Sequence, residues 1–284
     1  MCWLFGCGFM LGMIAGAVLV SALTGRRGAR VAEPPLGIGD ANQTAVQSSM
    51  DDVLQLATEA LQRLVDEVDD YTATLVKQES VDGELGPVER MRIKVQCPHR
   101  GGDQQWGQPM RVYLRFEHPE AVAGREVLWA EDRRDGKLLV REAGLLGLVP
   151  VPLDPMGRLA MRGQRYPIND IGLSQLLKKL IERGQQDRDD PNVRVRIRRG
   201  VELDRRGCDL IEVRRREPGR GGDDFSRAEI CFDTQRGVPL RYTAYGWPAD
   251  DAPLLESYTY LDLRLNAGLS DEDFDEANPE YGFR

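Results

Sequence analysis

Apolar residues recur along this chain with two periods, and the switches between them divide it into elements. Near Ser48 or Ser49 a serine cap is followed by Asp51 and Asp52, acids that suit the positive end of a helix. Val53, Leu54, Ala57, Leu61, Leu64, Val65 and Val68 then recur at three- and four-residue spacing, which predicts an amphipathic helix of about five turns. After it the period becomes two. Tyr71, Ala73 and Leu75 alternate with polar neighbours, as do Met91, Ile93, Val95 and Cys97. Met110, Val112, Leu114 and Phe116 face one way, with Arg111, Arg115 and Glu117 the other, and Val127, Trp129, Leu138 and Val140 continue the series. One buried and one wet face per strand predicts an antiparallel sheet, with hairpin turns at Val81, Asp82, Gly83 and at Arg134, Asp135, Gly136.

The stretch Gly144 to Ile168 breaks the pattern. It is apolar, yet Pro150, Pro152, Pro155, Gly157 and Gly163 forbid a long helix or a central strand, so its side chains are expected to bury against something. A second helix follows, with Ile171, Leu173, Leu176, Leu177, Leu180 and Ile181 on one face and Gly184 placed to stop it. Strands resume at Val193, Val195 and Ile197 and continue through Ile211, Val213, Ile230, Phe232, Leu240, Tyr242, Ala244, Leu261, Leu263 and Leu265. Strands, a helical insertion, then strands predict an α+β domain whose large curved antiparallel sheet is covered by helices on one face.

Upstream of that domain, Trp3 to Leu23 carry no charge, and about twenty such residues span a bilayer core. Gly8, Gly12 and Gly16 form a small-residue stripe that suits self-association of membrane helices, while a signal sequence cleaved after Val20, Ser21 and Ala22 is the other reading. Residues 1–24 are therefore expected to be an anchor or signal, 25–48 a flexible linker and 49–284 the domain. Arg26, Arg27 and Arg30 follow the apolar run, and the positive-inside rule would leave the domain in the cytoplasm. Export is expected nonetheless, with the missing basic n-region assigned to a misplaced start.

Net charge is −8, which argues against a general nucleic-acid binder, and two histidines, His99 and His118, leave little for histidine chemistry. No nucleophile elbow, zinc-protease helix, phosphate loop or dinucleotide fingerprint occurs, so no enzyme, cofactor or metal is expected. Cys97 is in phase with Ile93 and Val95 and reads as a buried thiol rather than a ligand. Pairing the strands around Cys208 and Cys231 symmetrically about Pro218 to Gly222 sets these two cysteines opposite each other. A cross-strand disulfide on the outer face is expected, in keeping with an oxidising compartment. From Val193 to Arg216 nine arginines face four acids, a local +5 that reads either as a docking face for an anionic partner or as ion-paired sheet surface.

Several blocks are familiar. Tyr71 to Glu79 (Tyr-Thr-Ala-Thr-Leu-Val-Lys-Gln-Glu), Val112 to Phe116, Gly124 to Leu128, Gly136 to Leu139, and Leu159 to Gly163 with Arg165 to Ile168 resemble domain-of-unknown-function family 1571 of bacterial envelope proteins. The resemblance runs from Asp51 to Phe283. It implies a LolA-like superfold, a half-open antiparallel sheet around helices with an apolar interior, whose members carry lipoprotein acyl chains or bind lipids. No lipoprotein attachment cysteine follows the apolar run, so lipid anchoring is not implied.

Together these readings predict a periplasmic carrier or binder of a lipid or acylated protein. The cavity would be built from Val112, Leu114, Phe116, Val127 and Trp129. Leu145 to Met161, including Leu146, Leu148, Leu153 and Met161, would form a lid, with Arg162 and Arg165 meeting a headgroup. Leu114→Arg is then expected to abolish lipid retention without unfolding. The competing reading is a membrane-tethered interaction module in which the interior is a packed core and the arginine face does the docking.

Overall fold

The computed structural model describes residues 44–98, 107–144, 147, 149–219 and 225–284. The apolar run, its Gly8, Gly12 and Gly16 stripe and residues 25–43 lie outside them. No helix among the described residues is long and apolar enough to cross a membrane.

After a short strand β1 (Val46–Ser48), helix α1 (Met50–Glu67) begins where the serine cap predicts. Ser49 Oγ accepts from the Asp52 amide at 3.1 Å, and Asp52 accepts in return from the Ser49 amide at 3.0 Å. This reciprocal box satisfies two of the amides that a helix start otherwise leaves unpaired. The face with Met50, Ala57, Ala60 and Leu64 is buried.

Two runs of strands follow. The first is β2 (Asp70–Val81), β3 (Glu84–Leu85), β4 (Glu89–Gln96), β5 (Arg111–His118), β6 (Glu126–Ala130), β7 (Leu138–Arg141) and β8 (Val151–Leu153). Helix α2 (Leu173–Asp187) separates it from β9 (Val193–Leu203), β10 (Arg206–Arg215), β11 (Arg227–Asp233), β12 (Val238–Tyr245) and β13 (Leu254–Leu265). Except for β3, which pairs only β2, they form one antiparallel sheet in the order β1-β9-β10-β11-β12-β13-β2-β4-β5-β6-β7-β8. The pairing of β13 with β2, with Tyr260 opposite Leu75, joins the two runs. The α+β architecture is thus that predicted: an open sheet with both helices on its apolar face. Leu64 of α1 and Leu173 and Leu177 of α2 share one core with Leu75, Ile93, Val112, Val213 and Leu240.

Three local outcomes differ from expectation. Gly184 lies inside α2 rather than ending it, buried where the helices cross; a Cβ there would lie 2.8 Å from Leu54 Cδ2. Close approach, not chain termination, is what this glycine permits. Residues 46–48, assigned to the linker, add an edge strand to β9. Beyond β13 the chain crosses the outer face of the sheet as a strap. Phe274, Tyr281 and Phe283 form a second core there with Tyr113, Leu128 and Leu139. Tyr281 stacks on Tyr113 with ring centroids 3.9 Å apart, and Asp70 anchors the strap by accepting from the amides of Ala267, Gly268 and Leu269.

Candidate binding face and its rim

Alternation along β5 and β6 turns Val112, Leu114, Phe116, Val127 and Trp129 to the apolar face, and all five are buried in the main core. They are brought together by register, Val112 opposite Trp129 and Leu114 opposite Val127. Trp129 Nε1 donates to the Gly136 carbonyl at 3.0 Å, so its polar atom is satisfied. Leu114 is too deeply packed to probe a ligand. An arginine there would put a charge into the core, and unfolding rather than clean loss of binding is the expected result.

The proline-broken segment departs from expectation. Pro152 sits opposite Leu139 in β8, which is tolerated because β8 is the sheet's last strand. Leu153 and Ala160 pack against the core, and Met161 is half-buried. Yet Val149, Val151, Met156 and Leu159 are 71, 49, 66 and 72% exposed, four of the six large exposed apolar residues among those described. The segment therefore does not bury its apolar side chains against its own domain. Leu145, Leu146 and Leu148 lie outside the described residues.

What holds this rim is polar and was not foreseen. Lys77 and Glu79 continue the alternation of Tyr71, Ala73 and Leu75, so both lie on the inner face, opposite Tyr258 and Glu256 of β13. Lys77 pairs with Glu79 at 3.4 Å and Glu89 at 3.0 Å, and its ammonium also donates to Gln164. The Arg165 amide donates to Glu79 at 3.1 Å; its guanidinium donates to the Ser80 carbonyl at 3.0 Å and pairs with Glu256 at 3.3 Å. Tyr258 donates to Glu79 at 2.6 Å and approaches Glu256 at 3.3 Å, while Tyr166 reaches Glu256 at 3.4 Å. Lys179 lies 3.6 Å from the Tyr166 ring centre.

Burial, with the nearby Glu79 charge, raises the Glu256 pKa against the opposing pull of Arg165 and the tyrosine hydroxyls. Burial and the same glutamate push the Tyr166 hydroxyl up to about 12. Two close carboxylates in unlike settings are the raw material of acid–base chemistry. Here, however, both oxygens of Glu79 and of Glu256 are engaged by protein donors. The cluster is chemically a latch, joining residues 164–166 to β2 and β13. Of the two expected headgroup residues, Arg165 belongs to this latch and Arg162 stays exposed.

The expected disulfide is absent: Cys208 and Cys231 are free, buried thiols. Cys231 stands opposite Leu210, two positions from Cys208, in a ladder that runs without irregularity from Asp209 opposite Phe232 to Arg214 opposite Arg227. Desolvation pushes the thiols up to about 11 for Cys208 and about 12 for Cys231 and for the likewise buried Cys97. Among the described residues no group of three or more His, Cys, Asp or Glu side chains is placed to hold a metal.

A family model described as protein of unknown function (DUF1571) matches residues 68–283. No curated protein matches the chain. Among solved structures, a putative outer membrane lipoprotein-sorting protein domain from Vibrio parahaemolyticus is 15% identical, with 80% of this chain and 98% of that one covered and a TM-score of 0.37. The MucA/MucB complex of Pseudomonas aeruginosa gives 16%, 79%, 60% and 0.44, and a LolA superfamily protein from Nitrosomonas europaea 11%, 78%, 97% and 0.30. Likeness at that level carries no functional weight.

Proposed function

The chain belongs to the DUF1571 family, and from that premise we propose that it is a non-catalytic envelope protein that binds or carries a hydrophobic ligand, a lipid or lipoprotein acyl chain, at the rim and apolar face of its half-open sheet. The observation that carries this reading is the exposed apolar row Val149, Val151, Met156 and Leu159. Exposed apolar side chains scattered singly need no explanation, but four within eleven residues, on one segment, mark a contact surface. The segment is also pinned at both ends, by β8 on one side and by the latch on the other. Its apolar side chains are thus presented to solvent by a bridge tethered at both ends.

Burial of one methylene is worth about 0.8 kcal/mol, so an acyl chain of about fourteen carbons gains roughly 10 kcal/mol before the costs of association. The latch gives the bridge a way to open without disturbing the sheet, since, apart from the Arg165 bond to the Ser80 carbonyl, its bonds run from side chains on β2 and β13 rather than through the strand ladder.

Met156→Asp with Leu159→Asp tests this reading. Both residues are exposed, so the double variant is expected to melt as the wild type does while losing at least about tenfold in affinity for a fluorescent fatty acid, a loss of 1.4 kcal/mol. Unchanged affinity in a folded double variant contradicts it.

A further inference from the structure

The strands farthest from the rim carry a surface of a different kind. Val193, Val195 and Ile197 of β9 pair with Arg215, Val213 and Ile211 of β10 on the inner side, which turns Arg194, Arg196 and Arg198 outward. Register then aligns Arg194 with Arg214, and Arg214 with Arg227, three arginines side by side on three adjacent strands. Like charges directly opposite one another destabilise a sheet, so such a row is a cost to the fold alone. The neighbouring row offsets part of it: Glu212 pairs with Arg214 at 2.8 Å and Glu229 with Arg227 at 3.3 Å. Arg194 instead donates to the carbonyls of Pro191 and Val193, and among the described residues Arg194, Arg196 and Arg198 take part in no ion pair. On a chain of net charge −8, this face is positive.

The place where the chain enters the fold is the second observation. β1 pairs with β9, with Gln47 opposite Arg196, so the segment leading in from the N-terminus joins the sheet at the edge of the arginine face. The uncharged run Trp3 to Leu23 ends twenty-two residues before Val46. In sequence this sheet edge is the part of the fold nearest to that run, and an anionic leaflet has the charge complementary to the arginine face.

We propose that the outer face of β9 and β10, centred on Arg194, Arg196 and Arg198, docks on the anionic headgroups of a phospholipid bilayer. The apolar rim lies at the opposite end of the sheet, on β8, so docking leaves it clear.

The test uses residues 36–284, which form one compact unit containing the whole sheet, both helices and both cores. The probe is co-sedimentation with vesicles of phosphatidylcholine alone or with about a third phosphatidylglycerol. The unit is expected to bind the anionic vesicles and to release from them at high salt, because surface electrostatics are screened within a Debye length. Each basic residue near such a surface contributes about fivefold, so Arg194→Gln/Arg196→Gln/Arg198→Gln is expected to lose about a hundredfold. Lys137→Gln/Lys178→Gln/Arg264→Gln removes equal charge from exposed positions elsewhere and is expected to bind far more like the wild type. No binding to anionic vesicles at low salt overturns the proposal, and an acidic protein then becomes the occupant to seek. A triple variant on β9 that binds like the wild type also overturns it. Equal binding to neutral vesicles overturns it too and assigns the contact to the apolar rim; failure of the rim reading leaves all these outcomes unaffected.

Discussion

Arg165→Ala isolates the latch from the rest of the fold. The substitution deletes the 3.3 Å ion pair with Glu256 and the 3.0 Å hydrogen bond to the Ser80 carbonyl. Removing one partner of a fully buried ion pair costs about 3–5 kcal/mol, because the other charge is left uncompensated. Two features lower that figure. Arg165 is partly exposed, and Glu256 keeps the hydroxyls of Tyr166 and Tyr258 as partners. About 2 kcal/mol is therefore expected, roughly a thirtyfold shift in the local opening equilibrium. Amide hydrogen exchange reads it directly. The amides of Met161, Gln164 and Arg165, bonded to Gly157, Met161 and Glu79, are expected to exchange about thirtyfold faster, while those of β2 and β4 keep their protection. Fatty-acid exchange is expected to accelerate in parallel. A double-mutant cycle with Glu256→Gln assigns the effect: a coupling energy of about 1 kcal/mol or more is expected, and strict additivity sinks the latch. Equal loss of protection throughout the sheet sinks it as well, because the segment would then be part of one cooperative unit.

Three further outcomes follow from the structure. Phe274→Ala removes a fully buried ring from the second core and is expected to cost about 3–5 kcal/mol in denaturant unfolding; less than about 1 kcal/mol would mean that the strap is not docked. Glu256 binds its proton more tightly when folded than unfolded, so its contribution to stability is full below its ordinary value of 4.5 and is lost as pH rises through the raised value. The unfolding free energy of the wild type relative to Glu256→Gln is therefore expected to fall as pH rises from 4.5, and a rise would contradict the burial argument. In residues 36–284 a thiol reagent is expected to find Cys97, Cys208 and Cys231 unreactive in the folded protein and all three reactive once it is unfolded; a single reactive thiol would mean a disulfide.

Local rules were legible in the sequence and long-range ones were not. The serine cap of α1, the alternation of β2, β4, β5 and β9, and the succession of strands, helix and strands along the chain depend on neighbours in sequence, and all were read correctly. Cys208 and Cys231 were misplaced because the residues joining β10 and β11 do not fix the register, and a slip of two positions keeps every side chain on its own face and so leaves no mark in the alternation. Gly184 looked like a helix end because nothing in α2 itself announces that α1 crosses there. Two features did leave a signal. Tyr113, Leu128 and Leu139 are apolar at outward positions of three adjacent strands, which calls for a cover, and the C-terminal strap supplies it. Lys77 and Glu79 occupy buried phase in β2, and charges there call for partners, which Glu89 and Gln164 provide for Lys77 and Arg165 and Tyr258 for Glu79.

Whether a hydrophobic ligand occupies the domain is tested most directly by native mass spectrometry of residues 36–284, purified after export to an oxidising compartment. The account predicts an adduct of lipid mass that is lost on organic extraction, on a polypeptide whose mass retains all three thiol protons. A folded protein at its bare polypeptide mass, unchanged after incubation with lipid, would contradict it.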